Sequence, residues 1–182
     1  RSIDNVISEL KQAKNTITEG IDEVMFYDDD FYGLPANYIK EFSERFKAEI
    51  KLPIHPLNCG ASHFSEEKFL HLKCAGASGV IVGIQTISKN GRETYRNPAT
   101  KENIRKIADV IRKYTDQQLI FHLILGNPYE NIDDIAENFL FLIKGDCTGF
   151  SKLEADLLDL LLVLHAEHGG GNNSTFTLRV TS

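Results

Sequence analysis

Short apolar runs alternate with amphipathic helical patterns throughout residues 1–144. Strands that alternate with helices of about 10–15 residues are typical of βαβ units, which build a mostly parallel sheet. The alternation therefore predicts the α/β class, with either half of an eightfold barrel or most of a small open sheet. Four parallel strands are predicted, at Glu23–Tyr27, Leu52–Leu57, Val80–Ile84 and Leu119–Leu125.

Apolar residues recur at helical spacing between these strands, and several of the helical segments begin at residues that favour helix starts. The second strand is weak, because Pro53 and Pro56 cannot donate hydrogen bonds to a sheet. The helices are predicted to begin near Ser2, Pro35, Ser65, Lys101 and Ile132.

The composition suits one ordinary soluble domain, with 42% hydrophobic and 25% charged residues in 182. A net charge of −6 without a basic block argues against nucleic acid or an anionic membrane as the main partner. The apolar stretch Leu157–Leu164 is too short to span a bilayer. Three widely spaced cysteines and no visible secretion signal favour a cytoplasmic protein. The first residue, Arg1, favours a fragment or a trimmed chain.

The pattern changes near Gly145–Gly149. From Ser151 onward a leucine-rich helix is predicted, followed by a stretch rich in Gly, Asn and Ser that offers no obvious strand to the sheet. We therefore predict two units, an α/β domain at residues 1–144 and a C-terminal α-helical segment with a Gly/Asn-rich loop at residues 145–182. The buried face of that helix is predicted to carry Leu157, Leu160, Leu161 and Leu164.

All four predicted strands end in polar or glycine-containing segments. Because the carboxyl ends of parallel strands meet at one edge of a sheet, these segments predict one polar mouth for a small molecule. Two alternatives stay open for the acidic segment Asp28–Asp30. It is either a solvated turn that caps the next helix or a site for a hard cation. The segments are Asp28–Asp30, Asn58–Cys59, Gln85–Ser88 and Gly126–Glu130.

The order of EVMFYDDDF, a Cys-containing strand end, GVIVGIQTIS and LILGNPYE resembles the radical S-adenosylmethionine superfamily, especially members often preceded by a cobalamin-binding domain. The resemblance covers about residues 1–144. It implies a partial (β/α) barrel, a [4Fe–4S] cluster on a CxxxCxxC loop, reductive cleavage of S-adenosylmethionine and radical abstraction of hydrogen. It also implies contacts to the amino group from Asp28, Asp29 and Asp30, to the ribose from Gln85 and Ser88, and beside the adenine from Gly126 and Glu130.

The chain departs from this family at several positions. Thr86-Ile87 stands where the family has a small Ser-Gly pair, and Asn127 and Tyr129 replace a Leu and a Gly. The cluster loop is expected just before Arg1, and without its three thiolates no cluster is held in the family's way. We therefore expect a fragment of such an enzyme, with a nucleoside-shaped mouth but inactive as this chain.

The segment LEADLLDLLLVLHAEHGGGNNSTFT resembles citrate synthase, an all-helical dimer that condenses oxaloacetate with acetyl-CoA. The resemblance covers about residues 150–182 and implies that His168 hydrogen-bonds oxaloacetate, with Asn172 nearby. The two histidines of the segment do not have HExxH spacing, so a zinc site is not predicted. The other catalytic residues of that family are expected beyond Ser182, so no condensation is expected.

Three functions stay open on the sequence: a fragment of a radical S-adenosylmethionine enzyme, a truncated citrate synthase, and a non-catalytic chimeric module. The first explains most of the chain. The expected partner is a small molecule. An open sheet edge beside the first and last strands also predicts self-association, or cover by the leucine face of the C-terminal helix.

Overall fold

The computed structural model describes residues 1–17, 20–96, 98–114, 116–125, 127–144 and 174–180. Within these ranges, helices accompany a four-stranded sheet. The strands are β1 (Leu57–Gly60), β2 (Gly79–Gln85), β3 (Gln118–Leu125) and β4 (Ser174–Val180). The helices are α1 (Ile3–Thr16), α2 (Ala36–Glu49), α3 (Glu66–Ala75), α4 (Lys89–Tyr95), α5 (Lys101–Ile111) and α6 (Ile132–Lys144), with a short 3-10 helix at Phe31–Gly33.

The sheet has the order β1-β2-β3-β4, and its first three strands are parallel. The register aligns Cys59 with Val82 and Val82 with Phe121, so the carboxyl ends of all three strands lie at the same edge. The α/β class and the parallel pairing are thereby confirmed. The sheet is open, with three parallel strands instead of four, and no closed barrel forms within the described residues.

The first two predicted strands form only isolated parallel bridges. Val24 bridges Ile54, which in turn bridges Ala77. Regular pairing does not continue around Ile54, because the flanking Pro53 and Pro56 have no N–H to donate. These two strand predictions are therefore wrong in extent, and β1 begins only after the second proline.

The C-terminal part also supplies a strand, contrary to expectation. β4 pairs antiparallel along β3, from Leu125↔Ser174 to Leu119↔Val180. The expectation that this part offers no strand is wrong, and the edge of β3 is not open. The four leucines predicted to cover a sheet edge, and the helix that would carry them, lie outside the described residues.

Local signals explain where the helices begin and end. Side-chain oxygens of Ser2, Ser65 and Ser88 accept hydrogen bonds from the backbone N–H groups three residues later, which caps α1, α3 and α4. Thr100 and Asn103 form a reciprocal capping box at the start of α5. The short helix α4 was missing from the prediction, since its seven residues carry no apolar period.

No helix of the described part is long and apolar enough to cross a membrane.

The core lies on one face of the sheet. Val80, Val82 and Ile84 of β2 are buried there, alternating with residues 81, 83 and 85 that are half-buried. Phe121 of β3 is buried on the same side, and side chains of α2, α3 and α5 complete the cluster. On the opposite face Ile120 is buried and the residues of β2 and β3 nearer the carboxyl ends are half-buried, and the candidate site lies at the carboxyl end of this face.

Candidate functional site

A cleft of about 470 Å³ lies at the carboxyl ends of the three parallel strands. Three of the predicted site residues, Asp29, Asp30 and Gln85, line it. The cleft has the size of a typical small-molecule pocket, about 300–1,000 Å³. Three of the four segments predicted to form the polar mouth thus contribute to one cavity, whereas the described residues of the fourth segment, Gly126–Glu130, are not in its lining. Its other lining residues are Asn58, Cys59, Gly60, Ala61, Ser62, His63, Gly83, Pro98, His122 and Ile124.

The three aspartates after the first predicted strand have different surroundings. Asp29 is exposed and lines the cleft. Asp30 caps the 3-10 helix, because its Oδ1 accepts hydrogen bonds from the backbone N–H groups of Gly33 at 3.1 Å and Gly60 at 2.9 Å. Asp28 is exposed and outside the lining, with its backbone oxygen accepting from Asn58 at 2.7 Å. Asp30 thus caps a 3-10 helix that was not predicted, whereas α2, the predicted next helix, has Pro35 at its N-cap and no side-chain cap.

Gln85 has an unusual backbone conformation at the end of β2. Its φ is 55°, in the left-handed region, and the register between β2 and β3 shifts between Gly83 and Gln85. A non-glycine residue held there costs about 1 kcal/mol or more, a strain that recurs at functional sites. A Cβ on Gly83 would lie 2.7 Å from Gln85 Nε2, so the glycine leaves room for the amide beside the cleft.

Ser88 and Glu130 meet each other in a buried polar network outside the cleft lining. Oε1 of Glu130 accepts hydrogen bonds from the hydroxyls of both Thr86 and Ser88. Asn138 Oδ1 accepts a hydrogen bond from the backbone N–H of Ile87 at 2.6 Å and lies 3.1 Å from Thr86 Oγ1. The network connects the segment after β2 to the loop before α6 and to the middle of α6, which is a structural role. The predicted ligand contacts of Ser88 and Glu130 stay predictions.

Three further predicted residues cannot be placed in this geometry. Gly126, His168 and Asn172 lie outside the described residues. The Gly/Asn-rich loop of the predicted oxaloacetate site lies there as well. The described cleft therefore bears on the first of the two family resemblances and not on the second.

The described residues do not fit a [4Fe–4S] cluster held by thiolates. Cys59 is buried in β1, where burial first and Asp30 second raise the pKa of its thiol. Cys74 is exposed on α3, and its Sγ accepts a hydrogen bond from Lys47 Nζ at 3.2 Å. No group of three or more His, Cys, Asp or Glu side chains suited to a metal ion occurs in the part of the chain that the structure describes.

Two histidines of the cleft were not predicted. His63 follows β1, and its Nδ1 lies against Asp30 Oδ2. His122 is in β3, where burial lowers the pKa of its imidazole. Side chains alternate along a strand, so His122 lies on the same face of β3 as Ile124, which also lines the cleft. This alternation is the signal that could have found His122. His63 carried no such signal, because its partner lies far away in the sequence.

Comparison with known proteins gives one family and one fold. The sequence model of the citrate synthase C-terminal domain matches residues 36–182, which begins far upstream of the segment 150–182 where the motif lies. No curated protein matches the chain in sequence.

Solved structures of cobalamin-dependent radical enzymes share the fold. The radical S-adenosylmethionine methyltransferase TsrM from Kitasatospora setae, with cobalamin and a [4Fe–4S] cluster bound, has a TM-score of 0.65 at 21% identity, over 81% of this chain and 30% of its own. The cobalamin-dependent S-adenosylmethionine radical enzyme OxsB has a TM-score of 0.64 at 19% identity, over 88% of this chain and 25% of its own. The chain thus spans less than a third of the length of these structures.

Proposed function

This chain belongs to the citrate synthase C-terminal domain family, and we propose that its α/β part binds S-adenosylmethionine in the cleft without cleaving it. The observation that carries the proposal is the cleft itself. Gln85 reaches it from the end of β2, and Asp29 reaches it from the segment that follows the isolated bridge at Val24. A cleft at the carboxyl ends of parallel strands is the usual ligand site of an α/β fold. The shared fold with radical S-adenosylmethionine enzymes supports this choice of ligand.

The chemistry of the lining suits the two ends of that ligand. An exposed carboxylate such as Asp29 pairs with the ammonium of the methionyl group, a charge-assisted contact. Gly83 has no side chain, and Ile124 offers an apolar surface, so a flat base can approach the strands closely. Gln85 adds an amide that can both donate and accept.

Radical chemistry is not part of the proposal. The described cysteines do not fit a cluster, and the cluster and cobalamin are assigned only to the enzymes in which they were solved. The proposed role is that of a binding fragment of a radical S-adenosylmethionine enzyme, inactive by itself.

Calorimetric titration of the full chain with S-adenosylmethionine tests the proposal. We expect weak binding, with a Kd on the order of 1 mM, and about a tenfold loss in Asp29→Asn, because the ammonium loses its ionic partner. Asp28→Asn is the matched control, since it removes the same charge from the neighbouring residue outside the cleft. Absence of heat at millimolar ligand, or an equal loss in both variants, contradicts the proposal.

A truncated citrate synthase is the second candidate, because the family match includes the His168 segment. On this alternative oxaloacetate binds the chain through His168 and Asn172. Titration with oxaloacetate is then expected to give heat that His168→Ala abolishes and Asp29→Asn leaves unchanged. If neither ligand binds, the remaining reading is a non-catalytic chimeric module.

A further inference from the structure

Asp30 and His63 form a side-chain pair in the wall of the cleft. Nδ1 of His63 lies in hydrogen-bond contact with Oδ2 of Asp30, and both residues line the cavity. The His63 side chain is 55% exposed, whereas that of Asp30 is only 27% exposed. The imidazole therefore has one nitrogen on the protein side and one on the open side.

The Asp30 carboxylate of this pair is also held in place by the backbone. Its Oδ1 accepts from two backbone N–H groups, those of Gly33 and Gly60, which leaves Oδ2 for His63. The backbone N–H of His63 also donates to Gly60 O at 2.8 Å, so a tight turn after β1 sets the position of the ring. A carboxylate on Nδ1 fixes the tautomer and the orientation of a histidine.

The glycines on either side make room for the pair. A Cβ on Gly60 would lie 2.9 Å from Asp30 Oδ2 and 3.3 Å from His63 Nδ1. A Cβ on Gly33 would lie 3.0 Å from the same carboxylate oxygen. Residues with side chains at either position would press on this contact. The local sequence is thus suited to hold the two side chains together.

We propose that His63 is a further ligand-binding residue of this cleft, which presents Nε2 as a fixed acceptor to a hydroxyl group of a ribose-bearing ligand, with Asp30 as its positioning residue. The inference rests on the proposed binding of S-adenosylmethionine. With Nδ1–H donated to Asp30, Nε2 of a neutral imidazole can only accept. A hydroxyl suits this place, because its hydrogen can be donated to Nε2 while its oxygen still accepts from another donor.

Two substitutions of His63 separate ligand binding from a structural role. Asparagine places its amide nitrogen near the position of Nδ1 and keeps the contact to Asp30, whereas glutamine places its amide group near Nε2. We expect His63→Asn to keep the melting temperature of the full chain and to weaken S-adenosylmethionine about tenfold. His63→Gln is expected to retain more of the affinity.

A pair of nucleosides identifies the ligand group. Adenosine is expected to displace S-adenosylmethionine from the wild-type chain about tenfold better than 2′,3′-dideoxyadenosine, and His63→Asn is expected to remove this preference. If the chain binds S-adenosylmethionine but His63→Asn keeps both the affinity and the preference, or adenosine displaces nothing, the inference is overturned while the proposed function stands. If the wild-type chain binds no S-adenosylmethionine, both are overturned.

A measurement on the wild-type chain tests the inference even if the His63 variants fail to fold. The imidazole ¹⁵N resonances of His63 are expected to show the Nδ1–H tautomer, with Nε2 shifting when adenosine is added. An unchanged Nε2 resonance at saturating adenosine overturns the inference without recourse to any substitution.

Discussion

At the scale of single residues, positive φ angles mark where the backbone departs from ordinary geometry. Gln85 has a φ of 55° and Arg96 has a φ of 49°, and both carry side chains. Gln85 lies in the cleft, where its strain accompanies a proposed binding role. Arg96 is exposed and ends α4, with its N–H donating to the carbonyls of Arg92 and Glu93. The same backbone conformation thus occurs once in the cleft lining and once at a helix end.

Arg96→Gly is expected to raise the free energy of unfolding by about 0.5–1 kcal/mol, because glycine adopts the left-handed region without steric cost. Urea denaturation followed by circular dichroism measures the change. Gly76→Ala is the opposite control and is expected to lower the free energy of unfolding. Gly76 ends α3 at a φ of 108°, and the Cβ of an alanine there would lie 3.3 Å from Leu52 O. A more stable Gly76→Ala, or a less stable Arg96→Gly, contradicts the argument.

At the scale of elements, charged side chains join α1 to α2. Glu49 of α2 accepts from Arg45 at 2.8 Å and from Lys11 of α1 at 2.5 Å. Arg45 also reaches Asp4 at the start of α1. Hydrogen bonds from Arg45 first and Lys11 second lower the pKa of Glu49 from 4.5 to about 2. The two helices are thus joined by a charge network whose strength depends on pH.

Glu49→Gln is expected to lower the free energy of unfolding modestly at pH 7. A carboxyl group with a lowered folded pKa stabilises the fold above its unfolded pKa, and this contribution is lost as pH falls from about 4.5 to about 2. The difference between wild type and variant is therefore expected to vanish toward pH 2. Glu44→Gln, an exposed change on the same helix, is the control for urea denaturation at each pH. A difference independent of pH contradicts the prediction.

At the scale of the whole molecule, β4 covers one edge of the parallel sheet. It pairs with β3 along seven residue pairs. Exposed strand edges favour association with other chains, and pairing is one way to prevent it. The division of the chain at residues 144 and 145 stays a prediction, but this pairing means that the two parts interact through the sheet.

Deletion of residues 174–182 is expected to turn the chain into a concentration-dependent oligomer, because the edge of β3 loses its partner. Size-exclusion chromatography with light scattering measures the mass. Gln118→Lys in the shortened chain is the control, since a charge on the half-buried first residue of the edge strand is expected to restore the monomer. A monomeric shortened chain at high concentration contradicts the prediction.

The sequence by itself determined the α/β class, the two regular strands at Val80–Ile84 and Leu119–Leu125, and most helix starts. These features depend on local signals, namely apolar periodicity and caps within a few residues. It also predicted that Asp29 and Gln85 lie at one mouth, and both residues line the cleft, although only Gln85 ends a regular strand.

Only the tertiary structure decided the strand pairing at the edge of the sheet and the side-chain pair in the cleft, because both depend on contacts between distant residues. β4 pairs with β3, which lies about fifty residues earlier in the sequence. Asp30 meets His63 across 33 positions of sequence. No local pattern encodes such a meeting, since it exists only once the loop before α2 and the turn after β1 pack against each other.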